Sequence, residues 1–324
     1  MLAAVCRAYG TPDVVEVDPA HPEPELGDGQ VRVRVRAAAV NFPDVLIIAD
    51  QYQMHASLPF VPGSEFAGVV SGLGAGAGAV ALGDRVCGAA FVGAFADEVV
   101  VAESSLTAIP DGVDDTRAAA FGVAHRTAYH VLRSVAGVQP GEHVIVLGAG
   151  GGVGSAAVQI AAVLGATVTA VASTDEKLAV AARLGASHVV NYRNGPLRPQ
   201  LRETLPDGAD VVVDPVGGAL SEPALRSLRW GGRFVTVGYA SGDIPRIPLN
   251  LVLLKGVQVL GFQFIDFATH VAAQAERNEA ELHELLADGR ITPHIGATYA
   301  LDDVVAALQH VADGNAIGKV VLTI

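Results

Sequence analysis

Leu147-Gly148-Ala149-Gly150-Gly151-Gly152-Val153-Gly154 decides the fold of this 324-residue chain. A short apolar run, His143 to Leu147, leads into it, and Val153 to Leu164 follows with alanine and apolar residues at helical density. A strand, a glycine-rich turn and a helix in that order form an anion site. Backbone N–H groups can approach a pyrophosphate, and the helix N-terminus adds positive partial charge. The fingerprint reads Ala149-x-Gly151-x-x-Gly154, with alanine in place of the first glycine. Tight strand-to-helix turns without a ligand also use glycine, so the weight rests on the surroundings.

Those surroundings alternate. Thr167 to Ala172 is β-branched and strand-like, Asp175 to Leu184 helical, and His188 to Asn191 a strand. Asp210 to Val213, Gly232 to Val237 and Val257 to Gly261 read as further strands. Strands alternating with helices predict βαβ units and a parallel sheet. Residues 143 to 174 lack Asp, Glu, Lys and Arg, long enough to span a bilayer. The glycines at 148, 150, 151, 152 and 154 argue instead for a buried strand, turn and helix.

The first third is β-rich. Val31-Arg32-Val33-Arg34-Val35-Arg36 alternates as a half-buried strand does. Residues 72 to 83 nearly match a dinucleotide fingerprint, but no strand feeds a helix there, and they read as a loop or bulged strand. After residue 265 the pattern turns helical, Ala268 to Leu286 and Asp302 to Asp313, and Lys319 to Ile324 is a final strand. The expected division is a first domain over 1–124 completed by 266–324, and a dinucleotide-binding domain over 125–265.

Composition narrows the function classes. Apolar residues make up 51% and charged residues 17%, enough for a sizeable core. A formal charge of −13 opposes a nucleic-acid partner. Two cysteines, Cys6 and Cys87, make neither a disulfide framework nor a four-thiolate zinc site. They fit a reducing cytoplasm, and the opening residues carry no secretory pattern, so a cytoplasmic protein without membrane partners is expected.

The cofactor choice falls after the second strand, at Ala172-Ser173-Thr174-Asp175-Glu176-Lys177. A carboxylate at the strand end would bind the ribose 2′-hydroxyl and repel a 2′-phosphate. Here Ser173 follows the strand directly and Lys177 brings a cation, which favours NADPH. Ser173 can equally cap the helix, with Glu176 closing a capping box. Asp175 and Glu176 keep NADH open. The histidines are scattered, so no catalytic zinc is expected. Without a metal, the expected acceptor is one that delocalises charge easily, a quinone or an α,β-unsaturated carbonyl.

Several stretches together resemble the zinc-free medium-chain dehydrogenase/reductases, in particular the NADPH:quinone oxidoreductase (zeta-crystallin-like) group. They are Val40-Asn41-Phe42-Pro43-Asp44, Leu58 to Gly68, Gly83-Asp84-Arg85-Val86, the glycine turn, Val190-Asn191-Tyr192, Asp214-Pro215-Val216-Gly217-Gly218, and Gly318-Lys319-Val320-Val321. The resemblance covers essentially the whole chain. It implies an α/β protein, a GroES-like partly open β-barrel domain plus a Rossmann doubly wound domain, with the active site in the cleft between them. Asn41 stands where zinc-dependent relatives have a cysteine ligand and Ser64 where they have a histidine. The four-cysteine lobe is absent.

By the same likeness, Ser173, Lys177 and Tyr192 would surround the 2′-phosphate, and Gly151, Gly152, Val153 and Gly154 would meet the pyrophosphate. Thr127, Gly238, Phe262 and Phe264 would lie near the nicotinamide end, and Asn41, Asp44 and Tyr52 would line the acceptor pocket. The structural alternatives are a half-buried Tyr192, an Asp44 that caps the following helix, and Phe262 and Phe264 as core. Lys255 occupies the place of a proton-donating lysine in enoyl reductases, or is simply an exposed lysine after a helix. The expected activity is metal-free hydride transfer from NADPH to a quinone. An enoyl-thioester or alkenal reductase, and an NADPH-binding protein with little catalysis, are the alternatives. The likeness also implies a homodimer with the strand Val257 to Gly261 near its interface.

Overall fold

The computed structural model describes residues 1–324, and the chain divides into two compact units, 1–123 with 292–324, and 124–291. The first unit is built on a seven-stranded sheet. Its long strand, Gln30–Val40, buries Val31, Val33 and Val35 and turns Arg34 and Arg36 to solvent, as the alternation predicts. From Ala37 onward both faces are covered, and four apolar residues in a row are buried. Phe66 and Phe95 fill the core beneath.

Pairing within this sheet brings distant residues to one place. Glu65–Leu73 runs antiparallel to Gln30–Val40, with Glu65 opposite Ala39. Lys319–Thr323 flanks the other side, with Val320 opposite Val40. Asn41, Glu65 and Lys319 therefore meet at one end of three adjacent strands. Asn41 then starts the helix Phe42–Ile48.

The second unit contains a six-stranded sheet whose neighbouring strands are all parallel. In spatial order the strands are His188–Asn191, Thr167–Ala172, His143–Leu147, Ala209–Asp214, Leu228–Thr236 and Gln258–Gly261. The order reverses direction at the first strand of this unit, His143–Leu147. Ligands of such sheets bind at the carboxyl ends around that reversal. Val144 to Leu147 and Val211 to Val213 are completely buried, as a sheet covered on both faces requires. The uncharged run over 143–174 becomes a strand, the helix Gly152–Val163 and a second strand. No helix is long and apolar enough to cross a membrane.

Two details depart from the sequence reading. The expected helix over 268–286 is two helices, Phe264–His270 and Ala272–Ala287, broken at Val271, whose φ is −129° and ψ 45°. Both belong to the second unit, which ends at 291 rather than 265. The reason is polar. Asn278, Glu279 and Glu281 are tied to Arg126, Tyr129, His130 and Arg133 of the same unit.

Candidate active site

The glycine turn sits at the end of the first strand of the parallel sheet. Gly148 has φ +60°, so the tight turn falls on this residue, directly after the strand. That explains the missing glycine at 149. Ala149 is buried and donates its N–H to Val171 O at 3.0 Å. Gly154 serves close approach, since a Cβ there would lie 2.0 Å from Gly148 O. Gly151 is the N-cap of the helix, with Gly152, Val153 and Gly154 in its first turn. The Gly151 N–H donates to Gly148 O at 2.9 Å, whereas those of Gly152, Val153 and Gly154 belong to the first turn, whose N–H groups have no partner within the helix and can face an anion.

Lys177 comes to this turn from the next βα unit. Its aliphatic stem packs over Gly150, where a Cβ would come within 2.6 Å of the Lys177 side chain. Burial, and then the charge of Arg193, hold the Lys177 ammonium below its ordinary pKa. Sequence reasoning missed Arg193; its signal was a basic residue directly after Tyr192. Tyr192 starts a short 3-10 turn, with its ring half-buried against the core that includes Leu197 and Leu201. Ser173 is half-buried at the strand end, but it is not the helix cap. Thr174 holds that position and accepts from Lys177 N–H. The cap expected at Ser173 therefore lies one residue later, and with Lys177 at the third helical position it forms no capping box. Asp175 accepts a hydrogen bond from Asn191 Nδ2 at 2.8 Å, which directs this carboxylate to a neighbouring strand end.

A cavity of about 580 Å³ opens beyond the fifth and sixth strands of the same sheet, lined by Thr236, Gly238, Tyr239, Phe262, Phe267 and His270 among others. Gly238 leaves room, since a Cβ there would meet only Pro215 O, at 3.6 Å. Thr236 Oγ1 is buried with no hydrogen-bond partner. Phe264 turns away from the cavity lining and lies under the Arg126 guanidinium, 4.7 Å from its ring centre. Thr127 is buried in the helix Gly122–His130. Lys255 is the last residue of the helix Leu249–Lys255 rather than a residue following it. It is half-buried, and burial together with Arg198 and Arg226 holds its pKa down. Arg198 and Arg226 line a different cavity, of about 560 Å³.

In the first unit, Asn41, Asp44, Glu65 and Lys319 are all buried. Lys319 Nζ donates to Asn41 Oδ1 at 2.5 Å and to Glu65 Oε1 at 2.6 Å. Asn41 Nδ2 donates to Glu65 Oε1 at 2.9 Å. Glu65 Oε2 accepts from Val123 N–H at 2.7 Å. Asp44 does not cap its helix as the first residue; it sits in the first turn and accepts from Asn41 N–H at 2.8 Å. Its other oxygen is buried and unpartnered. Burial raises the Asp44 carboxyl from 3.8 to about 7, against the lowering effects of Asn41 N–H, the Ser64 hydroxyl and Lys319. Tyr52 lies close enough that burial, and then Asp44, raise its phenol pKa.

The comparisons with known proteins agree with this architecture. Residues 27–111 match the alcohol dehydrogenase GroES-like domain and residues 152–281 the zinc-binding dehydrogenase domain. The chain is 38% identical to quinone oxidoreductase-like protein 2 of Bos taurus, over 99% of this chain and 92% of the relative. The structure of the Escherichia coli quinone oxidoreductase complexed with NADPH superposes with a TM-score of 0.92 at 27% identity, covering all of both chains. A structure described as an NAD-dependent alcohol dehydrogenase superposes with a TM-score of 0.91 at 31% identity, again over all of both chains. The two units are thus a GroES-like domain and a Rossmann domain of a nicotinamide-dependent oxidoreductase. The chain belongs to the medium-chain dehydrogenase/reductase family, within its quinone oxidoreductase-like group.

One matching family model is named for zinc, and the donor set here does not fit that metal. Asn41 and Glu65 hold an ammonium, Lys319 Nζ, which donates to an oxygen of each, and Ser64 Oγ accepts from Asn41 Nδ2. Neither a thiol nor an imidazole joins them, and zinc prefers those donors.

Proposed function

We propose that the chain is an NADPH-dependent, metal-independent reductase of quinones. The observation that carries this reading is Lys177 laid over Gly150 with Arg193 beside it, two cations at the mouth of the glycine turn. A 2′-phosphate adds charge where those cations stand, and a ribose hydroxyl does not. The residues fit the cofactor at both ends. The glycine turn would receive the pyrophosphate. The cavity with the unpartnered Thr236 hydroxyl and the Phe262 and Phe267 rings would receive the nicotinamide.

When bound, the nicotinamide supplies a hydride from its C4. The chain's part is to hold ring and acceptor within reach and exclude water. Tyr52 and Asp44 are proposed for the acceptor side. Asp44, with its pKa about 7, holds a proton near neutrality. Asn41 has no polar atom to spare for an acceptor, because Lys319, Glu65 and Ser64 engage both ends of its amide. Lys255 lies among arginines outside the cavity lining, so it is given no proton-transfer role.

The deciding experiment measures NADPH and NADH affinity, then runs NADPH against ortho-quinones, para-quinones, enones and enoyl thioesters. The reading expects tighter NADPH binding and turnover of quinones. Turnover of enones or enoyl thioesters alone would make it an activated-alkene reductase. Tight binding without turnover would make it a binding protein.

We also propose a homodimer in the cytoplasm. The outer strand Gln258–Gly261 has one unpaired edge. Nearby in sequence, Leu249, Leu253, Leu254 and Val259 are exposed, Leu253 by 81%. An unprotected strand edge beside exposed apolar side chains is an association surface, and a two-fold axis pairs such an edge with itself. Val259→Lys should give monomers by light scattering; an unchanged mass would reject this edge as the interface.

A further inference from the structure

His130 is buried between two very different environments. On one side are polar groups. Its Nδ1 faces Asn278 Nδ2 at 3.0 Å, and its Nε2 faces Glu279 Oε1 at 3.0 Å. Asn278 is held in that orientation, because its oxygen accepts from Arg277 at 2.8 Å and its nitrogen also donates to Ser134 Oγ at 2.8 Å. An amide nitrogen donates only, so His130 Nδ1 must accept and Nε2 carries the proton. Glu279 is in turn gripped by Arg126 Nε at 2.8 Å to both oxygens. Burial would raise the Glu279 pKa, but the His130 hydrogen bond and Arg126 outweigh it and hold the carboxylate ionised.

On the other side are three phenylalanines. The His130 ring lies 4.9 Å from the Phe267 ring, 5.5 Å from Phe264 and 6.1 Å from Phe262, the last nearly parallel at 28°. Phe262 and Phe267 line the 580 Å³ cavity, and Phe262 borders it with Gly238 and the Thr236 hydroxyl. The segment directly after His130, Val131–Val135, is π-helical, an irregularity common at functional sites.

We propose that His130 is a positioning residue: its ring, packed against Phe262 and Phe267, holds the wall against which the nicotinamide ring rests. This rests on the reading of the cavity as the nicotinamide end. A flexible Phe262 without His130 behind it would let the ring drift from its reactive geometry, while the phosphate contacts at the glycine turn stay intact. Displacement of about 1 Å costs on the order of a hundredfold in rate. Partial loosening should cost less.

The test uses the full-length protein with His130→Ala and His130→Phe. Phenylalanine keeps the ring behind Phe262 and Phe267 and discards both hydrogen bonds. For His130→Ala, kcat is expected to fall about tenfold while the NADPH dissociation constant moves less than threefold. The emission of bound NADPH should shift toward that of the free nucleotide, a readout that needs no acceptor. His130→Phe should restore emission and bring kcat within threefold of wild type. The proposal is overturned if His130→Ala leaves emission and kcat unchanged. It is equally overturned if His130→Phe is as impaired as His130→Ala. Should His130→Ala not fold, emission from His130→Phe decides: a wild-type spectrum supports the platform role and a shifted one rejects it. If wild type turns over no quinone, the emission comparison still judges His130, so the two readings fail separately.

Discussion

In the first unit Lys319, Asn41, Glu65 and Asp44 are buried together, and Lys319, Asn41 and Glu65 use their polar atoms on one another. In the second unit Lys177 is half-buried and Arg193 exposed, and burial, with the charge of Arg193, lowers the Lys177 pKa. Opposite charges that close on themselves in low dielectric hold the chain in one arrangement and do not wait for a ligand. Like charges placed together beside a helix N-terminus would gain further from a bound anion. The same residue type thus closes a buried cluster at 319 and has its proposed binding role at 177, and burial with its partners distinguishes the two.

The largest expected effect breaks the closed cluster. Lys319→Met leaves the Glu65 carboxylate buried without its cation, which costs on the order of 3–5 kcal/mol. Urea unfolding should show that loss, while NADPH affinity of the folded fraction stays as in wild type. Pairing it with Glu65→Gln removes the bare charge, and the double variant should recover part of the loss. A Lys319→Met protein as stable as wild type would show the cluster to be no more than a solvated surface pair.

Asp44 sharpens the same side through pH. Its carboxyl pKa is raised from 3.8 to about 7, so the folded chain binds this proton more tightly than the unfolded chain does. The stabilising effect is complete below about 3.8 and is lost as pH rises through about 7. Asp44→Asn lacks that loss. Its stability relative to wild type should therefore improve between pH 5 and pH 8, by on the order of 2–3 kcal/mol at most. A stability of Asp44→Asn relative to wild type that stays flat or falls between pH 5 and pH 8 would refute the raised carboxyl.

On the open side, Gly154→Ala tests the helix approach. The new Cβ would lie 2.0 Å from a backbone oxygen that cannot swing aside. The helix Gly152–Val163 must move off the turn, and nucleotide affinity should fall at least thirtyfold by fluorescence titration, about 2 kcal/mol. NADPH and NADH should suffer alike, because the pyrophosphate is common to both.

How much of this was legible in sequence follows from how local each feature is. The glycine turn, its strand and its helix lie within about twenty consecutive residues, and their pattern could be read directly. Lys177 could be read because it follows the second strand at a set distance. Lys319 and Glu65 are 254 residues apart, and only the pairing of three strands shows that they touch. His130 and Glu279 are 149 apart, and the same ties hold the helices after 264 in the second unit, against the expected return at 266. The helix start at Asp175 could be read, but its cap could not be assigned between Ser173 and Thr174, because both are good caps and only the backbone chooses.

The smallest effect in this series concerns the cation pair itself. Lys177→Gln removes one charge from a partly solvated site, where ion pairs are screened and worth about 1–2 kcal/mol toward a phosphate. NADPH affinity should fall roughly tenfold, and NADH affinity should stay within a factor of two. Arg193→Gln should produce a smaller loss of the same kind, because its side chain is exposed. Raising the salt concentration should shrink the wild-type preference toward that of the double variant. If both variants lose NADH as steeply as NADPH, the cations serve the pyrophosphate rather than the 2′-phosphate. The contrast between the two clusters would then survive, but the preference for NADPH would lose its support.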